Sequence, residues 1–244
     1  MIRFICIVVF LVLYLILSIP VFLVEWIIGK FSPEKKDYSS LRIVQWGFKV
    51  ILKMTGVSAT VIGEENIPDE PVLFIGNHRS FFDILLTYSR CKRLTGYVAK
   101  KEMEKIPLLS TWMRNLYCLF LDRDDIKAGL KTILQAIDYI KRGISICIFP
   151  EGTRNKGEEL SMLPFKDGAF KIATKTNCAI IPISLNNTSE IFEKHFPKIK
   201  KTHVVIEYGK PIYPDDLDKE EKKHIGTYVQ NIIQETINKN AGLV

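Results

Sequence analysis

Residues 71–86 read Pro71-Val72-Leu73-Phe74-Ile75-Gly76-Asn77-His78-Arg79-Ser80-Phe81-Phe82-Asp83-Ile84-Leu85-Leu86, and two structural patterns meet inside them. The apolar run 72–75 has the length and composition of a buried strand. After the polar loop Asn77-His78-Arg79-Ser80, the apolar spacing becomes helical. A buried strand whose end opens a helix is the repeating unit of an α/β fold, and its carboxyl end is where such folds place their chemistry.

The same alternation recurs outward from this stretch. Short apolar runs at 59–62, 97–99, 119–121, 144–149, 179–184 and 204–208 read as further strands. A helix starting at Asp124 or Asp125 places Ile126, Leu130, Ile133, Leu134, Ile137 and Ile140 on one face and stops at Gly143. A second covers 219–239, with Ile225, Val229, Ile232, Ile233 and Ile237 as its stripe. A third, 37–55, carries Leu41, Val44, Phe48, Ile51 and Leu52 and ends at Gly56. The expected fold is α/β: a single mixed sheet flanked by helices. No repeat, low-complexity segment or linker divides 57–244. The expected organisation is a membrane-anchoring helical segment at 1–55 and one α/β domain at 56–244.

The anchor follows from charge distribution. The chain has 244 residues and is 47% apolar, yet residues 4–24 contain no charged side chain. About 20 helical residues span roughly 30 Å, the hydrocarbon core of a bilayer. A cleaved signal would be shorter and would be followed by a small-x-small site, which is missing here. Pro20 and Glu25 leave a second geometry open, a bent hairpin lying in one leaflet, with Tyr14 and Trp26 as interfacial anchors either way. Lys30, Lys35, Lys36 and Arg42 follow the segment and only Arg3 precedes it, which, if the segment spans, places the α/β domain on the cytoplasmic face. Five scattered cysteines read as reduced core thiols. The net charge of +7 fits anionic headgroups or a merely basic surface. A nucleic-acid partner is not expected, because no basic helix face with interleaved aromatics stands out.

Two constellations carry chemistry. In the first, Ser80 reads as a helix N-cap and Asp83 as the third helical residue, a Ser-x-x-Asp capping box. That alone would explain Asp83, and a satisfied buried imidazole would explain His78. The spacing also lets the two converge, with His78 in the loop and Asp83 in the first helical turn. A carboxylate accepting from one ring nitrogen fixes the tautomer and frees the other as a general base. No Gly-x-Ser-x-Gly elbow supplies a nucleophile, which points to a hydroxyl on the substrate. The second is Phe149-Pro150-Glu151-Gly152-Thr153-Arg154. Gly152 allows close approach, Thr153 offers a hydroxyl, and Arg154 offers a fork suited to phosphate. Pro164-Phe165-Lys166-Asp167-Gly168 then opens a helix and adds a cation. An ordinary glycine turn with solvated charges is the alternative. Lys100-Lys101 and Asp122-Arg123 also follow strands, as substrate contacts or as solvated pairs.

Together the Asn-His-x-Ser-x-x-Asp block, Phe120-Leu121-Asp122-Arg123, Phe149 to Arg154 with Pro-Phe-Lys-x-Gly, and Ile180-Ile181-Pro182-Ile183-Ser184 resemble the glycerolipid acyltransferases. Within that family the likeness is to the enzymes that acylate 1-acyl-glycerol 3-phosphate, and it covers roughly 45–215. The resemblance implies that His78 is the catalytic histidine of the His-x4-Asp motif and Asp83 its orienting acid. It matches Arg123 to the family's second-block arginine as a substrate-binding residue, implies glycerol-phosphate contacts from Glu151, Gly152, Thr153 and Arg154, and places Lys100 near an acyl thioester. It implies no cofactor or metal, acyl-CoA or acyl-carrier protein as co-substrate, and lysophosphatidate and the phospholipid bilayer as partners. One departure stands out: the family often has glycine about five residues before the Asp of Asp-Arg, where this chain has Tyr117. The competing readings are a related acyltransferase acting on glycerol 3-phosphate or another lysophospholipid, a thioesterase or lipid hydrolase, and a membrane-tethered anionic-lipid-binding module.

Overall fold

All seven apolar runs form strands, because a strand buried on both faces reads as an uninterrupted apolar stretch. The computed structural model describes residues 1–123 and 125–244; Asp124 and the side chain of Ile126 lie outside the described residues. In chain order the elements are α1 (Ile2–Phe31), α2 (Pro33–Thr55), β1 (Ser58–Ile62), β2 (Leu73–Gly76), α3 (Phe82–Tyr88), β3 (Thr95–Lys100), α4 (Leu109–Asn115), β4 (Leu119–Leu121), α5 (Ile126–Lys141), β5 (Ser145–Ile148), α6 (Lys171–Thr176), β6 (Ile180–Asn186), β7 (His203–Tyr208), α7 (Lys219–Lys223) and α8 (Ile225–Asn240).

The strands join in one sheet of order β1-β7-β6-β2-β5-β3-β4. Among the described strand pairs only β6–β7 is antiparallel, so β6, β2, β5, β3 and β4 all end at the same edge. Side chains alternate between the faces with the strand period of two. Leu73, Ile75, Ile146, Ile148 and Ile180 pack against Ile140 of α5, Ile172 of α6 and Val229 and Ile233 of α8. Phe74, Cys147, Ile181, Ile183 and Ile206 pack on the other face with Leu41 and Val44 of α2, Phe82 and Leu86 of α3 and Trp112 of α4. The five cysteines are free thiols, and burial pushes those of Cys91 and Cys118 up to about 11.

Several helices differ from their sequence outlines for physical reasons. The second helix begins at Pro33, not 37, because Ser32 caps it by accepting from Lys35 N and Pro33 suits the first helical position. The expected 219–239 helix breaks at His224: residues 219–223 are all Lys or Glu, with nothing to bury, and an Asp218–Glu221 capping box holds that turn separately. In α5, Leu130 and Leu134 are exposed, against their assignment to one buried face with Ile140. Ala136, which the stripe left out, is fully buried, so the inward direction runs through 133, 136 and 140 and the two leucines fall on the flank.

The apolar α1 runs unbroken through Pro20, and the chain reverses at Ser32 instead. The resulting α1–α2 hairpin is closed by polar contacts: Tyr14 donates to Ile43 O at 3.2 Å, and Ser39 and Ser40 donate to the buried Glu25 carboxylate at 2.6 and 3.1 Å. Trp112 of α4 donates to Ser18 at 2.8 Å, joining α1 to the sheet's helical layer.

The family glycine position holds a strained residue. Tyr117 has φ +59°, in the left-handed region that costs a non-glycine residue about 1–2 kcal/mol. Its carbonyl also presses on the neighbouring strand: a Cβ at Gly96 would lie 2.2 Å from Tyr117 O. The tyrosine offsets the strain through its side chain. The hydroxyl donates to the Asp37 carboxylate of α2, and the ring meets Tyr139 edge-on at 5.3 Å. Burial, then that carboxylate, push the phenol up to about 12. Tyr117→Phe is expected to lose about 1.5–3 kcal/mol, the worth of a hydrogen bond to a charged acceptor. Tyr117→Gly, which regains the backbone freedom, should still unfold at lower denaturant than the parent chain.

Candidate active site

Strands β2 and β5 are hydrogen-bonded neighbours with Ile75 opposite Ile148, so the loops that leave them emerge side by side. Asn77 fixes the first loop to β6 on the other side: its amide donates to Leu185 O at 2.9 Å and accepts from Leu185 N at 2.8 Å. The backbone of His78 is then held at both ends, by Glu151 Oε1 accepting from its N–H at 2.6 Å and by Asn155 N donating to its carbonyl at 2.7 Å. Its ring stacks on Phe149 with centroids 4.5 Å apart.

His78 Nδ1 lies 2.8 Å from Asp83 Oδ2. Asp83 is fully buried in the first turn of α3, and the same oxygen accepts from Arg79 N at 2.7 Å and Ser80 N at 2.8 Å. Capping and pairing therefore coexist, with the helix start shifted: α3 begins at Phe82, and Ser80 Oγ accepts from Phe82 N at 3.0 Å rather than from Asp83 N. With the Nδ1 proton given to Asp83, Nε2 carries the free lone pair. The imidazole retains some exposure while its partner has none.

The second block folds into a turn around Gly152, whose φ of +74° is left-handed. A Cβ there would lie 3.0 Å from Lys166 Nζ, so the absence of a side chain lets the lysine lie across the turn. Among the described residues, the Lys166 ammonium makes no ion pair. Glu151 points inward, with Oε1 taking His78 N and Oε2 taking Leu163 N at 2.9 Å; burial raises its carboxyl above the ordinary range. Thr153 is exposed on the turn. Arg154 lies over the Phe81 ring, 3.6 Å from its centroid, and pairs with Glu193 at 3.1 Å. The buried Arg79 donates to Gly157 O and Ser161 O at 2.7 and 3.1 Å, tying the rest of this loop to the first.

His78, Asp83, Glu151, Gly152 and Arg154 thus belong to one connected cluster. Lys100 and Arg123 share the edge but stand farther off, at the ends of β3 and β4. Those strands lie two and three places from β2, roughly 10 and 14 Å at the usual spacing. Lys100 pairs with Glu102 at 2.7 Å, and Arg123 is exposed. Sequence reasoning missed Asn77 as an anchor, Phe149 as the stacking partner and Glu193 altogether. Among the described residues no group of three His, Cys, Asp or Glu side chains could hold a metal ion.

Fold and site define an α/β protein with an imidazole–carboxylate pair at the carboxyl ends of its parallel strands. Residues 58–186, more than half of the chain, match the Acyltransferase family model, and the chain belongs to that family. A Saccharomyces cerevisiae protein named 1-acyl-sn-glycerol-3-phosphate acyltransferase is 29% identical over 192 residues, 78% of this chain and 62% of the relative. One of the same name from Borreliella burgdorferi is 34% identical over 60% of this chain and 58% of its own length. The chain thus spans about three fifths of the length of these two curated relatives. A probable enzyme of that name from Mycoplasma pneumoniae is 26% identical, covering 92% of this chain and 91% of its own. The fold is that of the 1-acyl-sn-glycerophosphate (LPA) acyltransferase PlsC from Thermotoga maritima, with a TM-score of 0.73, 24% identity and coverage of 97% of this chain and 98% of that one.

Among the described residues, Glu151 has no charged partner of its own within hydrogen-bond reach. Glu151→Ala should strand the N–H groups of His78 and Leu163, costing about 1–3 kcal/mol for each donor left buried and unpaired. Glu151→Gln, whose one carbonyl oxygen still accepts, should lose less; thermal unfolding of the ligand-free chain ranks the two.

Proposed function

We propose that this chain moves an acyl group from the thioester of acyl-CoA or acyl-carrier protein to the sn-2 hydroxyl of 1-acyl-glycerol 3-phosphate, giving phosphatidate. The observation that carries the reading is the 2.8 Å pair of a partly exposed imidazole with a fully buried carboxylate. The relatives' names supply the acceptor class. His78 Nε2 takes the proton from the acceptor hydroxyl as its oxygen attacks the thioester carbonyl. The tetrahedral intermediate collapses with loss of the carbon–sulfur bond, and the imidazolium returns the proton to the leaving thiolate. Asp83 stabilises the imidazolium and holds the ring in the useful tautomer. The attacking oxygen belongs to the acceptor, so no acyl-enzyme forms. Arg154, Gly152, Thr153 and Lys166 would face the acceptor phosphate, and Lys100 and Arg123 the donor or the rim. Glu151 acts as a brace for His78.

The substrate lives in a bilayer, and α1 suits that setting. It is the one helix among the described residues long and apolar enough to cross a membrane, and Leu13, Ile16, Leu17, Leu23 and Val24 expose a continuous apolar flank. The helix touches the rest of the chain from Phe4, stacked 5.5 Å from Phe192, through Tyr14 to Glu25. Those contacts span 21 residues, about 32 Å of helix and the full thickness of a hydrocarbon core. A helix held along that length against the domain cannot also carry the chain across. On this reading α1 lies in one leaflet, with Lys30, Lys35, Lys36 and Arg42 favouring the cytoplasmic one.

The test is product formation from a panel of lysolipids with acyl-CoA and acyl-carrier protein. His78→Ala should cut turnover on the order of 10² to 10⁴ while folding and membrane attachment persist. A folded variant with near-normal turnover would remove His78 as the base. Arg154→Ala should raise the acceptor KM more than the donor KM; an effect confined to the donor would take Arg154 out of the acceptor site.

A further inference from the structure

Glu193 has no part in the chemistry above, yet its carboxylate sits among that chemistry's residues. It belongs to the short turn Glu193–His195 between β6 and β7, 110 residues beyond the His78–Asp83 loop. Oε2 accepts from Ser80 Oγ at 2.7 Å, while Oε1 accepts from Phe81 N at 2.7 Å and Arg154 Nη1 at 3.1 Å. Ser80 and Phe81 lie between the imidazole and its carboxylate. Arg154 lies over the Phe81 ring, and its Nη1 reaches the same carboxylate. One hydroxyl, one backbone N–H and one guanidinium therefore converge on a single oxyanion. That donor set serves a phosphate as well as it serves a carboxylate.

We propose that Ser80, Phe81 N–H and Arg154 form the seat for the acceptor's phosphomonoester, and that Glu193 fills this seat in the ligand-free protein. Resting on the acyl-transfer reading above, this makes Glu193 a gate on the acceptor's headgroup that sets acceptor affinity. The Glu193 side chain is about one fifth exposed and can leave by rotating about its own χ angles, with no backbone movement required. An incoming headgroup has to displace a carboxylate that is already well bonded. A phosphomonoester carries about −1.5 to −2 at neutral pH and replaces the lost charge with more. A phosphodiester or an uncharged headgroup brings no more charge than the carboxylate it displaces. The resident Glu193 lowers the apparent affinity of every headgroup that uses the seat by the fraction of molecules whose seat is open, and the dianion binds the opened seat most tightly.

The experiment compares the full chain with Glu193→Gln and Glu193→Asp in lipid nanodiscs. Gln keeps one acceptor oxygen for Phe81 N–H and offers its amide N–H to Ser80 Oγ, but loses the charge that holds Arg154. Asp, one methylene shorter, serves if Gln does not fold. For a seat filled in nine molecules of ten, the KM for lysophosphatidate should fall about tenfold. The KM for lysophosphatidylcholine should fall by no more than that factor, so the preference in kcat/KM for lysophosphatidate should not shrink, with the donor KM unmoved. An acceptor KM that stays or rises while kcat falls would make Glu193 a strut only and overturn the proposal. A second arm needs no catalysis: inorganic phosphate, followed by calorimetry, should bind Glu193→Gln more tightly than the parent and should not bind Glu193→Gln with Arg154→Ala. If phosphate behaves this way but no lysolipid is acylated, the seat stands and the acyl-transfer reading fails. If phosphate ignores all three proteins, the seat is refuted whatever the acylation shows.

Discussion

A strand that ends at a functional site leaves its following N–H groups without a neighbouring strand to accept them, and buried donors cannot go unpaired. The loop after β2 meets that constraint mostly with carboxylates. The N–H of His78 goes to Glu151, those of Arg79 and Ser80 to Asp83, and that of Phe81 to Glu193. Phe82 N then finds Ser80 Oγ and Asp83 N finds Ser80 O, at which point the helix has begun. Six consecutive donors are satisfied, four of them by carboxylates from three places in the chain. Bonds to ionised acceptors are the stronger kind, so a segment with no regular secondary structure is held firmly. The orientation of the imidazole is a by-product of how this loop is tied down.

The three acids differ in what else they do, and burial explains the difference. Asp83 has the ring nitrogen as well as two N–H groups on one oxygen, so its pairing with His78 is built into the cap. Glu151 has only backbone donors and little solvent, and desolvation raises its carboxyl. Glu193 is the outermost and faces a guanidinium, which leaves it the one acid of the three that can exchange its partners for solvent. Rigidity is therefore graded from Asp83 at the centre to Glu193 at the rim.

This grading also marks how far the sequence could be read. The seven strands were legible because burial on both faces forces apolar runs, and the His78–Asp83 pair was legible because both residues lie five apart at one loop-to-helix junction and carry side-chain chemistry. The bracing of His78 by Glu151, and Glu193 altogether, were not, since their partners are mainly N–H groups, which every residue but proline possesses and which leave no mark on the sequence. The α5 stripe misled for a related reason. A small residue, Ala136, marks the closest approach to the sheet, while Leu130 and Leu134 are apolar without being inside. Tyr117 carried a visible signal in departing from glycine. Its compensation by Asp37 of α2 became visible only once α2 was known to lie on the sheet.

That placement of α2 removes any packing break at residue 55. Leu41, Val44 and Ile51 share a core with the sheet strands, and α1 is fastened to α2 and α4 by Tyr14, Ser18 and Glu25. At its other end α1 meets the loop that carries Glu193, through Phe4 against Phe192 and Phe196. The apolar helix and the acid at the rim of the site are therefore held by adjoining residues of one turn. Since close-packed contacts transmit displacement instead of absorbing it, the surface that α1 presents and the loop beside His78 have a fixed relation. On the proposed reading, a headgroup arriving along that surface would meet Glu193, the most exposed of the three acids, at the rim of the site.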